Sequence, residues 1–250
     1  GKVQEQPETI DDVLDLLESI AKDHKVTVVF DEFQNIFHWD NSVKIQWQLR
    51  SRIQKQSNIG YIFLGSSTSL ISKLFTESKS AFYKSTILLY VPNQIDYALF
   101  AKWIQLRFAS TKLKLSNEVI MQILNYTKAH PYYTQKLCSF ICLSHVNGMI
   151  TIDLLNKTIS NLMNQEEQSY YERFDQLSLN QKKIIKALAN MNPEQSLFGK
   201  TTKEQYSLPA ASSLKLALNQ LCKHVNPLIY KDSSEYCIED PFFRLWLQSK

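Results

Sequence analysis

The hydrophobic pattern changes character twice along the 250 residues, and each change predicts a different kind of structure. The first stretch alternates helical and strand patterns. Thr9 stands where a helix cap belongs, with Asp12 at the capping-box position. Ile10, Val13, Leu14, Leu17 and Ile20 then fall on one face of a helix reaching about Asp23. Val26–Phe30 follows as five consecutive apolar or β-branched residues, too few for a helix and without its period. They predict a buried central strand of a parallel sheet. Residues 43–56 predict a helix with Ile45, Leu49 and Ile53 inward, and residues 59–65 a second buried strand running into Ser66-Ser67-Thr68. A short helix over 69–75 and a third strand over 87–91, stopped by Pro92, complete the stretch. Helices alternating with apolar strands are the α/β pattern.

After Pro92 strands vanish and an all-helical block is predicted. Ile95, Leu99, Trp103, Leu106 and Phe108 recur at near-helical spacing over 93–110. Ser116 caps a helix to Lys128 whose apolar face is Val119, Ile120, Ile123 and Leu124. Pro131 opens a helix over 132–146, and Asp153 begins another that reaches about Phe174. At Leu177 the pattern turns again: a helix over 179–190, a turn-rich loop over 191–201, a helix over 209–224 and two short strands around Asp232-Ser233-Ser234. An aromatic helix over 240–247 closes the chain. Helix, loop, helix, hairpin is a winged-helix pattern.

The chemistry concentrates where the first strand ends, in Asp31-Glu32. Open α/β sheets place their ligands at the C-terminal ends of strands. An apolar strand ending in two carboxylates resembles the Walker B arrangement of P-loop ATPases, in which the Asp holds Mg²⁺ through water and the Glu activates the attacking water. The plainer alternative has Asp31 capping the next turn and Glu32 in solvent.

Composition narrows the class. Hydrophobic residues at 44% and aromatic residues at 12% indicate a well-cored globular protein. No apolar run is long enough to span a bilayer and the N-terminus is polar, so a membrane span and a signal peptide are not expected. Four cysteines are too few for a disulfide framework and suit a reducing cytoplasm. Of these, Cys138 and Cys142 share a helical face with His145. This is compatible with a metal site, but cysteines so placed usually pack as small hydrophobes. The net charge of +4 falls entirely after residue 177, a modest signal for a polyanionic partner there.

Four strings together resemble one family, the archaeal-type AAA/STAND P-loop ATPases. Val28-Val29-Phe30-Asp31-Glu32-Phe33-Gln34 is similar to their Walker B segment, and Phe63-Leu64-Gly65-Ser66-Ser67 to their sensor-1 strand end. Ala129-His130-Pro131-Tyr132-Tyr133-Thr134-Gln135 resembles the lid motif Gly-His-Pro-Tyr-Tyr-x-Gln. Residues 236–247, with Asp240-Pro241-Phe242 and Trp246-Leu247, resemble the end of their winged helix.

The resemblance implies the C-terminal part of a P-loop NTPase core over 1–92, a helical lid over 93–176 and a winged helix over 177–250. It implies ATP and Mg²⁺ as cofactors and a nucleotide-driven switch as function. Asp31 would hold Mg²⁺ through water, Glu32 would activate the attacking water, and Ser66 or Ser67 would sense the γ-phosphate or else cap the next helix. His130 and Pro131 would bring the lid to the nucleotide.

Three departures qualify this. No Gly-x-x-x-x-Gly-Lys-Ser/Thr occurs, and Gly1-Lys2 runs straight into Val3. Gly199-Lys200-Thr201 follows Walker B instead of preceding it and has Glu194 at its first glycine position. Lys84-Ser85 stands where many relatives have Gly-Arg, and Ala129 where they have glycine. Either the P-loop segment lies outside this sequence or the chain is a degenerate relative, and in both cases weak nucleotide binding by these residues alone is expected. The alternative function is a non-catalytic module. The winged helix would contact DNA through Ser212, Ser213, Lys215, Asn219 and Lys223, or the helical block would bind a protein partner or a second copy through Trp103, Tyr170, Tyr171 and Phe174.

Overall fold

The structure, a computed structural model, describes residues 9–192, 194–223, 227–232 and 235–250, the side chains of Thr68, Lys223 and Asp232 excepted. The described chain forms two compact units that meet in sequence at Val91 and Pro92. The irregular segment expected over Gly1–Pro7, the end of the helix expected to reach His224 and the turn expected around Ser233-Ser234 lie outside the described residues.

The first unit runs α1 (Ile10–Ile20), β1 (Val26–Phe30), a 3₁₀ turn (Phe33–His38), α2 (Ser42–Ile53), β2 (Ile59–Phe63) and α3 (Thr68–Thr76). Thr9 and Asp12 close a reciprocal capping box at the start of α1. β1 and β2 pair in parallel, with Val28 opposite Tyr61 and Phe30 opposite Phe63. One face of the pair carries Phe30 and Phe63, stacked 5.5 Å apart, onto a core of Leu14, Phe33, Ile36, Leu49, Leu74 and Phe82.

The expected burial of β1 on both faces is not met among the described residues. Val29 on β1 and Ile62 on β2, which share the second face, are half-exposed. The third strand expected over 87–91 is not formed either. Those residues join no ladder, with Ile87, Leu89 and Val91 exposed at 84%, 86% and 87% while Leu88 alone packs onto the core. A β pattern becomes a strand only when a neighbour supplies ladder hydrogen bonds, and among the described residues none pairs with this segment.

The second unit runs α4 (Tyr97–Ala109), β3 (Leu113–Leu115), α5 (Asn117–Thr127), α6 (Pro131–Ser144), β4 (Gly148–Ile150), α7 (Ile152–Asp175), α8 (Leu179–Asn190), α9 (Lys200–Gln205), α10 (Ala211–Lys223), β5 (Ile229–Asp232), β6 (Glu235–Ile238) and α11 (Pro241–Gln248). The block expected to be all-helical thus holds a parallel ladder of β3 on β4, with Leu113 opposite Gly148. Three residues per strand are too few to show a period of two. Gly148 enters β4 with φ 104, which favours glycine. One core runs through the unit, from Ile104 and Ile123 through Leu162 and Tyr170 to Leu188, Leu218, Phe242 and Phe243. α11 seals it. Its N-cap Asp240 is buried and accepts from the backbone N–H of Phe242 (2.8 Å) and Phe243 (3.1 Å), and that burial raises its pKa.

Two non-glycine residues occupy the left-handed region where the resembled family carries glycine: Lys84 (φ 52) and Ala129 (φ 50). The conformation costs a non-glycine residue about 1–2 kcal/mol, while glycine adds entropy to the unfolded chain worth about 0.4–1 kcal/mol. Lys84 is exposed, so Lys84→Gly should gain about 0.5–1 kcal/mol for the first unit. Ala129 is fully buried, and losing its methyl costs about 0.8 kcal/mol. Ala129→Gly should therefore stay near neutral. Chemical denaturation of the two variants checks both signs, and a destabilised Lys84→Gly would refute the strain account.

Candidate functional site

The C-terminal ends of β1 and β2 are stitched together by backbone bonds. Leu64 N–H donates to the Phe30 carbonyl and Phe33 N–H to the Leu64 carbonyl, both at 2.8 Å. Between those bonds the chain turns at Glu32, which has φ 48 and ψ 43. A β-unbranched residue held left-handed stores about 1–3 kcal/mol of strain, of the kind that collects at functional sites. The turn brings Glu32 across to the residues that leave β2. Ser66 Oγ donates to Glu32 Oε2 at 2.8 Å, and the buried Gln34 amide donates to the same oxygen and reaches Ser66 Oγ at 3.5 Å. These two donors hold the Glu32 carboxyl below the usual glutamate range, so it is anionic at neutral pH. Asp31 is exposed beside it, and its Oδ1 accepts from the Glu32 N–H at 2.9 Å.

Sequence reasoning singled out Glu32 and Ser66 but gave Gln34 no role of its own. Its signal was present in the Phe33-Gln34 pair after the carboxylates. A second signal is Gly65: a Cβ there would lie 2.2 Å from Gln34 Oε1 and 2.3 Å from Ile71 Cγ1. Glycine is required for Gln34 to reach across. Ser67 occupies the N-cap position of α3 but makes no side-chain cap bond, and Ser66 is spent on Glu32.

The fit to Mg²⁺ follows from the donors. Among the described residues no three His, Cys, Asp or Glu side chains converge as a metal shell. One exposed carboxylate is what a cation that keeps most of its waters and takes its other ligands from phosphates requires. Asp31 fits that role. Nothing described near it cradles a phosphate.

The other candidates lie in the second unit. His130 is the N-cap of α6 and Pro131 its first residue. The His130 ring packs 4.9 Å from the Tyr133 ring, its Nδ1 is buried without a partner, and burial pushes its pKa down. Cys138 is buried and its thiol is pushed up to about 12, Cys142 is exposed, and His145 Nε2 contacts Thr158 Oγ1 at 3.1 Å. That is packing, not ligation. Gly199 of the Gly-Lys-Thr string is the N-cap of the six-residue α9. On α10, Leu214, Ala217, Leu218 and Leu221 face the core, leaving Ser212, Ser213, Lys215 and Asn219 exposed together with Leu216 at 61%. Lys223 has no described side chain. Tyr170 is buried, Phe174 packs on Trp246, and Tyr171 remains partly exposed.

Residues 168–249, beginning inside α7, match the family model described as a probable winged helix domain. The whole chain is similar in fold to the Walker-type ATPase PABY2304 of Pyrococcus abyssi, with a TM-score of 0.71 and 15% identity over 99% of this chain and 73% of that one. Among proteins of curated function none matches. The architecture is therefore similar to that of a Walker-type ATPase and includes a winged helix, and among the described residues no helix is long and apolar enough to cross a membrane.

Proposed function

We propose that the chain is the carboxylate-bearing part of a nucleotide-driven ATPase switch of the AAA/STAND kind, joined to a helical lid and a winged helix. The observation that carries this reading is the Glu32–Gln34–Ser66 cluster at the C-terminal end of a parallel strand pair, built on a strained turn at Glu32. Mg–ATP, when bound, supplies the phosphoanhydride whose terminal phosphoryl passes to water. Asp31 would hold the hydrated cation. Glu32, kept anionic and oriented by Ser66 and Gln34, positions the attacking water and takes its proton. Ser66 can exchange its bond to Glu32 for one to the γ-phosphate, which gives the switch a reading element, and Ser67 lies next to it. His130 and Pro131 contribute the lid side.

No Gly-x-x-x-x-Gly-Lys-Ser/Thr string occurs among these 250 residues, and on this proposal the phosphate-cradling loop belongs to polypeptide outside them. For the winged helix, an outward face with one described lysine and an exposed leucine favours contact with protein over DNA.

Titration of Mg–ATP into the 250-residue chain, beside the protein isolated from its source, tests the reading. Saturable binding and turnover are expected only for the latter. Tight Mg-dependent binding by the chain alone would overturn the assignment of the loop. Absence of ATP turnover in the source protein would overturn the function itself.

A further inference from the structure

The edge of β6 turned away from β5 is set by register. Tyr230 lies opposite Cys237 and Lys231 opposite Tyr236, and Glu239 N–H donates to the Leu228 carbonyl at 3.0 Å. In an antiparallel ladder, hydrogen-bonded and non-hydrogen-bonded pairs alternate. The Leu228–Glu239 and Tyr230–Cys237 pairs are thus the bonded ones, and the N–H and C=O groups of Tyr236 and Ile238 point outward. Among the described residues neither of these N–H groups has an acceptor. β6 lines a cavity of about 490 Å³ whose other walls are the end of α8 and the loop after it, with Leu188 and Leu197 as apolar floor. Lys128 and Arg244 also line it, both half-buried; neither forms an ion pair with a described carboxylate, and Arg244 Nε donates to the Ala189 carbonyl at 3.4 Å. Glu194 and Glu235 line it too, and both are exposed.

We propose that this edge is a docking site for an extended acidic peptide of a partner protein, added to the β5–β6 hairpin as a third strand. Alternating outward N–H and C=O groups are complementary to a peptide backbone, and strand addition is a recurrent way of using a free edge. The apolar floor accepts alternate side chains of the added strand. Lys128 and Arg244, half-buried and without an ion pair where the two glutamates are exposed to water, select a carboxylate among its remaining side chains. The inference is independent of the ATPase reading, since every group it uses lies in the second unit.

The test is amide hydrogen exchange by NMR, with acetyl-Thr-Val-Glu-Val-Thr-Val-amide as probe. In the free chain the Tyr236 and Ile238 amides should exchange at least about tenfold faster than that of Cys237. The probe should slow them towards the Cys237 rate. Replacing its Glu by Lys should weaken binding about tenfold, and Arg244→Gln should weaken the Glu probe while sparing the Lys probe. Three results would each overturn the proposal: equal protection of all three amides in the free chain, unimpaired binding of the probe N-methylated throughout, and protection that rises with protein concentration alone. The last would mark a second copy of the chain as the occupant.

Discussion

Glu32→Gln should lower ATP turnover by the source protein about 10²–10³-fold while leaving KM for Mg–ATP within a few-fold of wild type. The variant keeps the length of the side chain and an oxygen that can accept from Ser66 Oγ and the Gln34 amide, so the cluster and the turn on which it is built remain. It removes the negative charge that orients water and takes its proton. A loss in kcat at constant KM therefore isolates the chemical role from nucleotide binding. Steady-state kinetics over a range of ATP concentrations read both quantities. Full activity in the variant would remove Glu32 from the reaction and leave its contacts to Ser66 and Gln34 as packing.

The second large effect is on stability. Phe243→Ala should destabilise the second unit by about 3–5 kcal/mol and lower its melting temperature by about 10 °C. Phe243 is fully buried, and its ring meets Tyr170 at 5.4 Å and Trp246 at 5.6 Å, with the Arg173 guanidinium 5.3 Å over its face. Truncation removes the burial term, leaves a cavity and deletes two aromatic contacts together. Differential scanning calorimetry on the chain would show a shift in the transition of the second unit. A loss below about 1 kcal/mol would mean that the α7–α11 seam repacks freely.

Local physics made much of this fold readable. The Thr9 capping box, the Ser116 cap and the proline at the start of α6 are signals contained in a few neighbouring residues, and their helices begin where those residues stand. The apolar stripe of α5 likewise names its buried side chains. What could not be read depends on partners distant in sequence. The 87–91 segment has the composition of a strand, but pairing decides strand formation. The β3–β4 ladder joins residues more than thirty apart through three-residue strands. Gln34 is an unremarkable glutamine until the turn at Glu32 carries it to Ser66, and that turn depends on a backbone conformation that Glu does not advertise. Asp31 and Glu32 were legible because their position at a strand end is itself a local pattern. The α10 residues named for DNA contact, Lys223 aside, are exposed as the helical period required, yet exposure leaves their partner open.

α7 has a consequence of a mechanical kind. At 24 residues it is about 36 Å long. It begins in the helical block at its Thr151 cap and ends against α11, where Tyr170, Tyr171 and Phe174 grip Trp246. Such a rod has no proline or glycine at which to flex. A tilt of about 10° imposed at its first turn would displace its far end by about 6 Å. Because that end is clamped to the closing helix, the displacement would be delivered to the winged helix as a rigid swing.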